Sequence, residues 1–285
     1  MSVKAQLGLL AIDVGTSRVK VGWFPSDVVC ISDKPAGLLP ISAPPLPEPV
    51  ETFAIQHRGV PEDEFVAQLV KSLEPFDELW TSVAVASVDA DAFRKVFDVL
   101  KKCRRLAVPR LLEVLGLPIR LSIRQPHRVG IDRALAAVAV NRVRSVDRPA
   151  IVISLGSACT VNLISADGTF QGGAILPGLA MSANSMHTGT ASLPLIAVEN
   201  LEIPDDGIGK HTAAAMSAGI YWGLVGAIEK LIREQSRSLD AEPQLFLTGG
   251  DAPRVVDALQ ASGHSVRLVP HLVLAGIAIA CETQP

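Results

Sequence analysis

Aromatic side chains are scarce in this chain: three Trp, one Tyr and eight Phe make up only 4% of its 285 residues. With so few rings, and no block of basic residues beside them, the sequence lacks the stacking platforms and charged stripe of a nucleic-acid surface. A dominant charge of one sign is missing too. Lysine and arginine number 26 against 29 acids, a net charge of −3. The densest basic stretch, Lys101, Lys102, Arg104 and Arg105, reads as a solvated helix face. Cysteine is limited to Cys30, Cys103, Cys159 and Cys281, far apart and without Cys-x-x-Cys or Cys/His spacing. That excludes a zinc site and a small disulfide framework. Cys159 reads as a small buried filler, with a reactive thiol as the alternative. The longest apolar runs, such as Leu272 to Ala280, fall well short of the ~20 residues that span a bilayer. The first residues show no basic segment followed by an apolar stretch and a cleavage site. The expectation is a cytoplasmic protein with neither membrane nor nucleic acid as partner.

What the chain does have is apolar residues, 48% against 19% charged, and a length that suits two domains of ordinary size. Its most informative pattern is a device written twice, Ala11-Ile-Asp-Val-Gly-Thr-Ser17 and Val152-Ile-Ser-Leu-Gly-Ser-Ala158. Each is an apolar strand running into a small Gly-centred turn, followed by a second alternating strand. Such a turn exposes backbone N–H groups and hydroxyls with no bulky side chain in the way, which suits phosphate oxygens. Either copy alone reads first as an ordinary hairpin. Two copies at half-chain spacing predict a duplicated domain with a phosphate-gripping turn on each side of a nucleotide cleft.

The remaining patterns predict strands followed by helices in each half. Strands are expected at Leu9 to Asp13, Val19 to Phe24 and Leu79 to Val88, with a proline-dense connector between Pro35 and Pro49. Helices are expected from Pro61 to about Ser72, from an Asp91 cap to about Arg105, briefly over Pro109 to Leu115, and over Ala134 to Val143. The second half restarts with strands Ala150 to Ser154 and Thr160 to Ile164 and a turn at Asp167-Gly168. A helix follows at Gly178 to Met186, then a loop from Thr188 to Pro194. A long helix runs from Thr212 to Arg237, then come strand Leu245 to Thr248, a helix from Pro253, strand Ser265 to Val269 and helix Leu272 to Cys281. Gly219, Gly223 and Gly226 on the long helix allow close packing, internally or across a dimer. The fold class is α/β with two similar domains, residues 1–147 and 148–285.

Several motifs in order, Asp13-x-Gly15-Thr16-Ser17, Gly130-x-Asp132-Arg133, Gly156-Ser157-Ala158-x-Thr160, Gly172-Gly173-x-Ile175-x-Pro177-Gly178, Thr190-Ala191-x-Leu193-Pro194 and Thr248-Gly249-Gly250, span nearly the whole chain. Together they resemble the type III pantothenate kinases of the actin and sugar-kinase superfamily. The resemblance implies two ribonuclease H-like domains, phosphorylation of pantothenate by ATP in coenzyme A biosynthesis, a homodimer, Mg2+, and K+ or ammonium as monovalent cation.

Carried over residue by residue, the resemblance places Asp13 near a hydrated Mg2+, which takes few carboxylates. Val14, Gly15, Thr16, Ser17, Arg18, Val19 and Lys20 in the first turn, and Gly156 and Ser157 in the second, would hold the phosphates. Gly249 and Gly250 would lie under the adenosine. Asp132 would be the general base toward the pantothenate hydroxyl. Gly130, Ile131, Arg133 and Thr190 would complete the substrate site, Arg133 offering a planar fork to a carboxylate or phosphoryl group. Read without the resemblance, Asp132 is a helix-start acid, Asp13 a turn acid and Lys20 a solvated strand residue.

The chain also departs from the family pattern. Ser154 stands where the family has the Asp that ligates the monovalent cation, Ser157 where it has Thr, and Asn162 where a later acid is usual. Thr16 replaces a common Asn, and no Tyr precedes Gly130, since the chain's one Tyr is Tyr221. A neutral hydroxyl at Ser154 is a far weaker cation ligand, so that site is expected to be rebuilt or lost. Two further readings remain open: an accessory or regulatory paralogue, and a kinase for another small hydroxy acid.

Overall fold

A computed structural model describes residues 8–26, 45–76, 81–103, 106–201 and 207–282. Its elements in chain order are β1 (Gly8–Val14), β2 (Arg18–Pro25), β3 (Glu51–Gln56), α1 (Glu62–Leu73), β4 (Thr81–Ser87), α2 (Ala90–Leu100), β5 (Arg110–Leu111) and α3 (Ile131–Val143). There follow β6 (Ala150–Leu155), β7 (Ala158–Ile164), β8 (Phe170–Pro177), α4 (Leu179–Thr188), α5 (Thr212–Ser236), β9 (Gln244–Thr248), α6 (Ala252–Ala261), β10 (Val266–Leu268) and α7 (Leu272–Glu282).

The chain divides into two units. The first takes residues up to Val143 and again from His271, and the second is Arg144–Pro270. Each is built on a five-stranded sheet, ordered β3-β2-β1-β4-β5 in the first and β8-β7-β6-β9-β10 in the second. In both, the first three strands pair antiparallel in order, and the last two strands join the sheet parallel to their neighbours. The duplication expected from the repeated hairpin is therefore complete at the level of strand order. The division differs from 1–147 and 148–285, because α7 returns to the first unit.

In the first unit every residue of β1 is buried. Leu10, Ile12 and Val14 pack with Phe65 and Leu69 of α1 and Val96 of α2. Strand alternation sends Leu9, Ala11 and Asp13 to the opposite face, where α7 packs on β1 and α3 packs on α7. The two helices approach closely at Gly276, where an added methyl would lie 2.2 Å from the Leu135 carbonyl oxygen. In the second unit Ile151, Ile153 and Leu155 form a core with Cys159, Val161, Ile228 of α5 and Val255 of α6. Cys159 is buried there, and burial pushes its thiol up to about 12, in keeping with a filler.

Several local expectations differ from the structure. Helix α2 begins two residues earlier than the sequence suggests: Asp89, not Asp91, is its cap, accepting from the Asp91 and Ala92 backbone N–H groups at 3.1 and 2.9 Å. It ends at Leu100; Arg104 and Arg105 lie outside the described residues, as do Cys30 and most of the proline-dense stretch. In place of a short helix over Pro109 to Leu115 stand β5 and a single 3-10 turn, Val114–Gly116. Edge strand β3 was not foreseen, and Gly172-Gly173 belongs to β8. Gly219, Gly223 and Gly226 do not serve internal packing, since a methyl at any of them would meet nothing within 4 Å.

Candidate active site

The charged residues of the first unit meet at the end of β1. Asp13 lies directly opposite Lys20 on β2, so the hairpin itself sets the pair side by side. The Lys20 ammonium is 3.8 Å from Asp13 Oδ2, with Lys20 partly exposed and Asp13 buried. Burial pushes the Asp13 carboxyl up to about 6. Lys20 opposes that rise, and the charge of Asp132 adds to it. Asp132 comes from the first turn of α3, where an acid also complements the helix dipole. Its Oδ1 folds back over Gly130, 2.6 Å from where a Cβ there would sit. The Gly130 carbonyl accepts from Arg133 and Ala134, which opens the helix. Partial burial pulls the Arg133 guanidinium below its usual range, while neighbouring Asp132 works against this. The first unit thus gathers Asp13, Lys20, Asp132 and Arg133 into one charged group at the strand end.

The turn between β1 and β2 is closed by the Gly15 N–H on the Arg18 carbonyl at 3.0 Å. Thr16 and Arg18 are exposed, Gly15 and Ser17 half-buried, and Val14 and Val19 face the core. Two histidines not singled out in the sequence border this group. His57 places Nε2 2.8 Å from the Gly15 carbonyl oxygen. His271, with a left-handed φ of 55°, has its imidazole pulled below the usual range by burial and by Lys20.

In the second unit Ser154 occupies the position equivalent to Asp13 and lies opposite Thr160 on β7 and Thr248 on β9. Asn162, two residues on, donates to the Thr160 hydroxyl at 3.0 Å. These four side chains share one face and carry no charge. Gly156 and Ser157 form the turn, half-buried. Gly249, at φ 103°, requires glycine: a Cβ would fall 2.0 Å from the Leu155 carbonyl oxygen. A methyl at Gly250 would meet nothing within 4 Å. Thr190 is exposed beyond α4; its hydroxyl donates to the Met186 carbonyl at 2.8 Å and accepts from the Leu193 N–H. A cavity of about 480 Å3, lined by Met186, Leu193, Lys210, His211 and Met216, adjoins this loop. Among the described residues no group of three or more His, Cys, Asp or Glu is placed to hold a metal ion.

Two sheets of identical strand order, each opening on a glycine hairpin, define the duplicated α/β fold of actin and the sugar kinases. Solved structures agree with this. A Baf family protein from Campylobacter jejuni covers 95% of this chain and 96% of its own at 19% identity, with a TM-score of 0.54. An archaeal actin homologue covers 96% and 98% at 15% identity, with a TM-score of 0.51. Within that class the family model for type III pantothenate kinases matches residues 9–234, and the chain belongs to this family. The type III pantothenate kinase of Paramagnetospirillum magneticum is 34% identical over 200 residues, 67% of this chain and 74% of its own. That of Gluconobacter oxydans is 36% identical over 194 residues, 67% and 70% of the two chains. That of Rhodopirellula baltica is 40% identical over 163 residues, 56% of each.

Proposed function

We propose that this protein phosphorylates pantothenate with ATP to give 4'-phosphopantothenate, the first step of coenzyme A biosynthesis. The observation that carries the reading is the grouping of Asp13, Lys20, Asp132 and Arg133 in the first unit of a chain of this family. Asp132 accepts the proton of the primary hydroxyl as its oxygen bonds to the γ-phosphorus and the bond to the β-phosphate oxygen breaks, releasing ADP. Arg133 orients the pantothenate carboxylate or steadies the transferring phosphoryl oxygens. In the first unit we assign the phosphates to the turn Val14 to Lys20 and pantothenate to Gly130 and Ile131. In the second unit Gly156 and Ser157 suit phosphate oxygens, Gly249 and Gly250 the adenosine, and Thr190 pantothenate.

Asp13 fits Mg2+: it is a buried carboxylate whose one described ionic partner stands off at 3.8 Å, and the ion tolerates a single carboxylate with water and phosphate oxygens. When bound, the metal neutralises charge on the phosphates. The Ser154 face is a poorer fit for the family's monovalent cation. It offers hydroxyls and an amide but no carboxylate, so turnover should depend little on K+ or ammonium. A homodimer in the cytoplasm completes the reading; among the described residues no helix is long and apolar enough to cross a membrane. The exposed glycine face of α5 is compatible with pairing between two copies.

The same neutral face favours one alternative, a paralogue that binds nucleotide without turnover. The test is purified protein with ATP, Mg2+ and pantothenate, with and without K+. Phosphopantothenate should form in both, and Asp132→Asn should lose at least about a hundredfold in kcat, the lower range for a general base. No product under either condition, with ATP still bound, would establish the alternative.

A further inference from the structure

The two hairpins are braced from equivalent positions by different means. In each unit the residue just after the third strand donates its backbone N–H to the last-but-one residue of the turn: His57 to Ser17 at 3.0 Å, and Gly178 to Ser157 at 3.2 Å. At Gly178 the backbones nearly touch, and a methyl there would sit 2.2 Å from the Gly156 carbonyl oxygen. The first turn is one residue longer, spanning 15–18 between paired Val14 and Val19, against 156–158 between Leu155 and Cys159. The equivalent carbonyl, that of Gly15, is met by the His57 ring, with Nε2 at 2.8 Å.

A carbonyl only accepts, so Nε2 carries the hydrogen. The ring is held edge-on by the buried Phe65 of α1, centroids 5.9 Å apart. The peptide between Gly15 and Thr16 is trans and planar. Fixing its carbonyl toward His57 therefore aims the Thr16 N–H the opposite way.

We infer that His57 is a positioning residue for the nucleotide: it locks the Gly15–Thr16 peptide so that the Thr16 N–H is presented to a phosphate oxygen. This rests on the reading that the first turn receives the ATP phosphates. His57 touches neither substrate nor reacting atoms; it acts through the turn.

The test compares His57→Phe, which keeps a ring against Phe65 but loses the donor, with His57→Gln, whose Nε2 can reach the same carbonyl. Calorimetry with Mg-ATP reads nucleotide affinity without turnover, and steady-state kinetics give both KM values. His57→Phe should weaken ATP binding and raise its KM about five- to tenfold, the scale of one lost hydrogen bond. The KM for pantothenate and the melting temperature should stay close to wild type, and His57→Gln should recover most of the loss. An ATP affinity within twofold of wild type in His57→Phe overturns the inference. So does a parallel rise in both KM values, or a glutamine no better than phenylalanine. If His57→Phe does not fold, His57→Ala takes its place, and unfolding of both assigns the histidine to the fold alone. A wild type that binds ATP but makes no product defeats the kinase reading and leaves the affinity test standing.

Discussion

Asp13 is an acid held where a charged acid is disfavoured. With its carboxyl pushed up to about 6 from 3.8 by burial, the folded ligand-free protein binds a proton that the unfolded chain has already released between those values. The folded state is then favoured at low pH. That contribution, up to about 3 kcal/mol, is complete below about pH 4 and is lost as pH rises through 6. Denaturant unfolding of the ligand-free protein at pH 4, 5, 6 and 7 should show this decline, and Asp13→Asn should flatten it. Protons and Mg2+ compete for the same oxygens, so metal affinity should fall below about pH 6. Asp13, Asp132 and Arg133 stand out in the sequence because each sits inside a short motif at a strand or helix end, whereas Lys20 is marked only by its place on the strand after the first turn. His57 and His271 do not stand out. Each stands alone in the sequence, and only the tertiary fold brings it to the hairpin.

At the scale of elements, the helix and strand boundaries show which signals carry information. The hairpins and the long helices were legible because alternation and apolar runs persist over many residues. Strand β3 was missed because Glu51–Gln56 buries only Ile55 and alternates poorly. Its strand character comes from pairing with β2, a non-local cause. The two-residue β5 is exposed and offers no hydrophobic pattern at all. Helix α2 was found but its cap was misplaced by two residues, since Asp89 and Asp91 are both plausible acids in sequence. The geometry separates them: Asp89→Ala should cost about 1 kcal/mol of stability. Asp91→Ala, which removes only an exposed contact to Arg94, should change it by less than about 0.5 kcal/mol. Urea midpoints of the two variants decide between them.

For the whole molecule, the sequence conveyed the duplication but not the division of the chain. Nothing in Leu272 to Cys281 says which sheet that helix covers; its apolar residues would suit either. The structure gives it to the first unit, fastened by Arg142 of α3 to Glu282, with the Arg142 side chain only 2% exposed. The contact is made by Nη2, and within the described residues the buried Arg142 Nε and Nη1 have no hydrogen-bond partner. Removing the acid leaves a guanidinium stranded among apolar atoms. Glu282→Ala should therefore destabilise the protein by about 3 kcal/mol or more, measured by thermal or urea unfolding. A loss below about 1 kcal/mol would contradict the buried pairing.

Because α7 completes the layer over Leu9 and Ala11, the core around β1 stays open until residues 271–282 have been synthesised. The intervening Arg144–Pro270 unit, contiguous in the chain, has all its strands before that point. The usual N-terminal-first order of folding on the ribosome should therefore favour the second unit here. The sheet that bears Asp13 emerges first, yet that face is covered only once α7 has followed it.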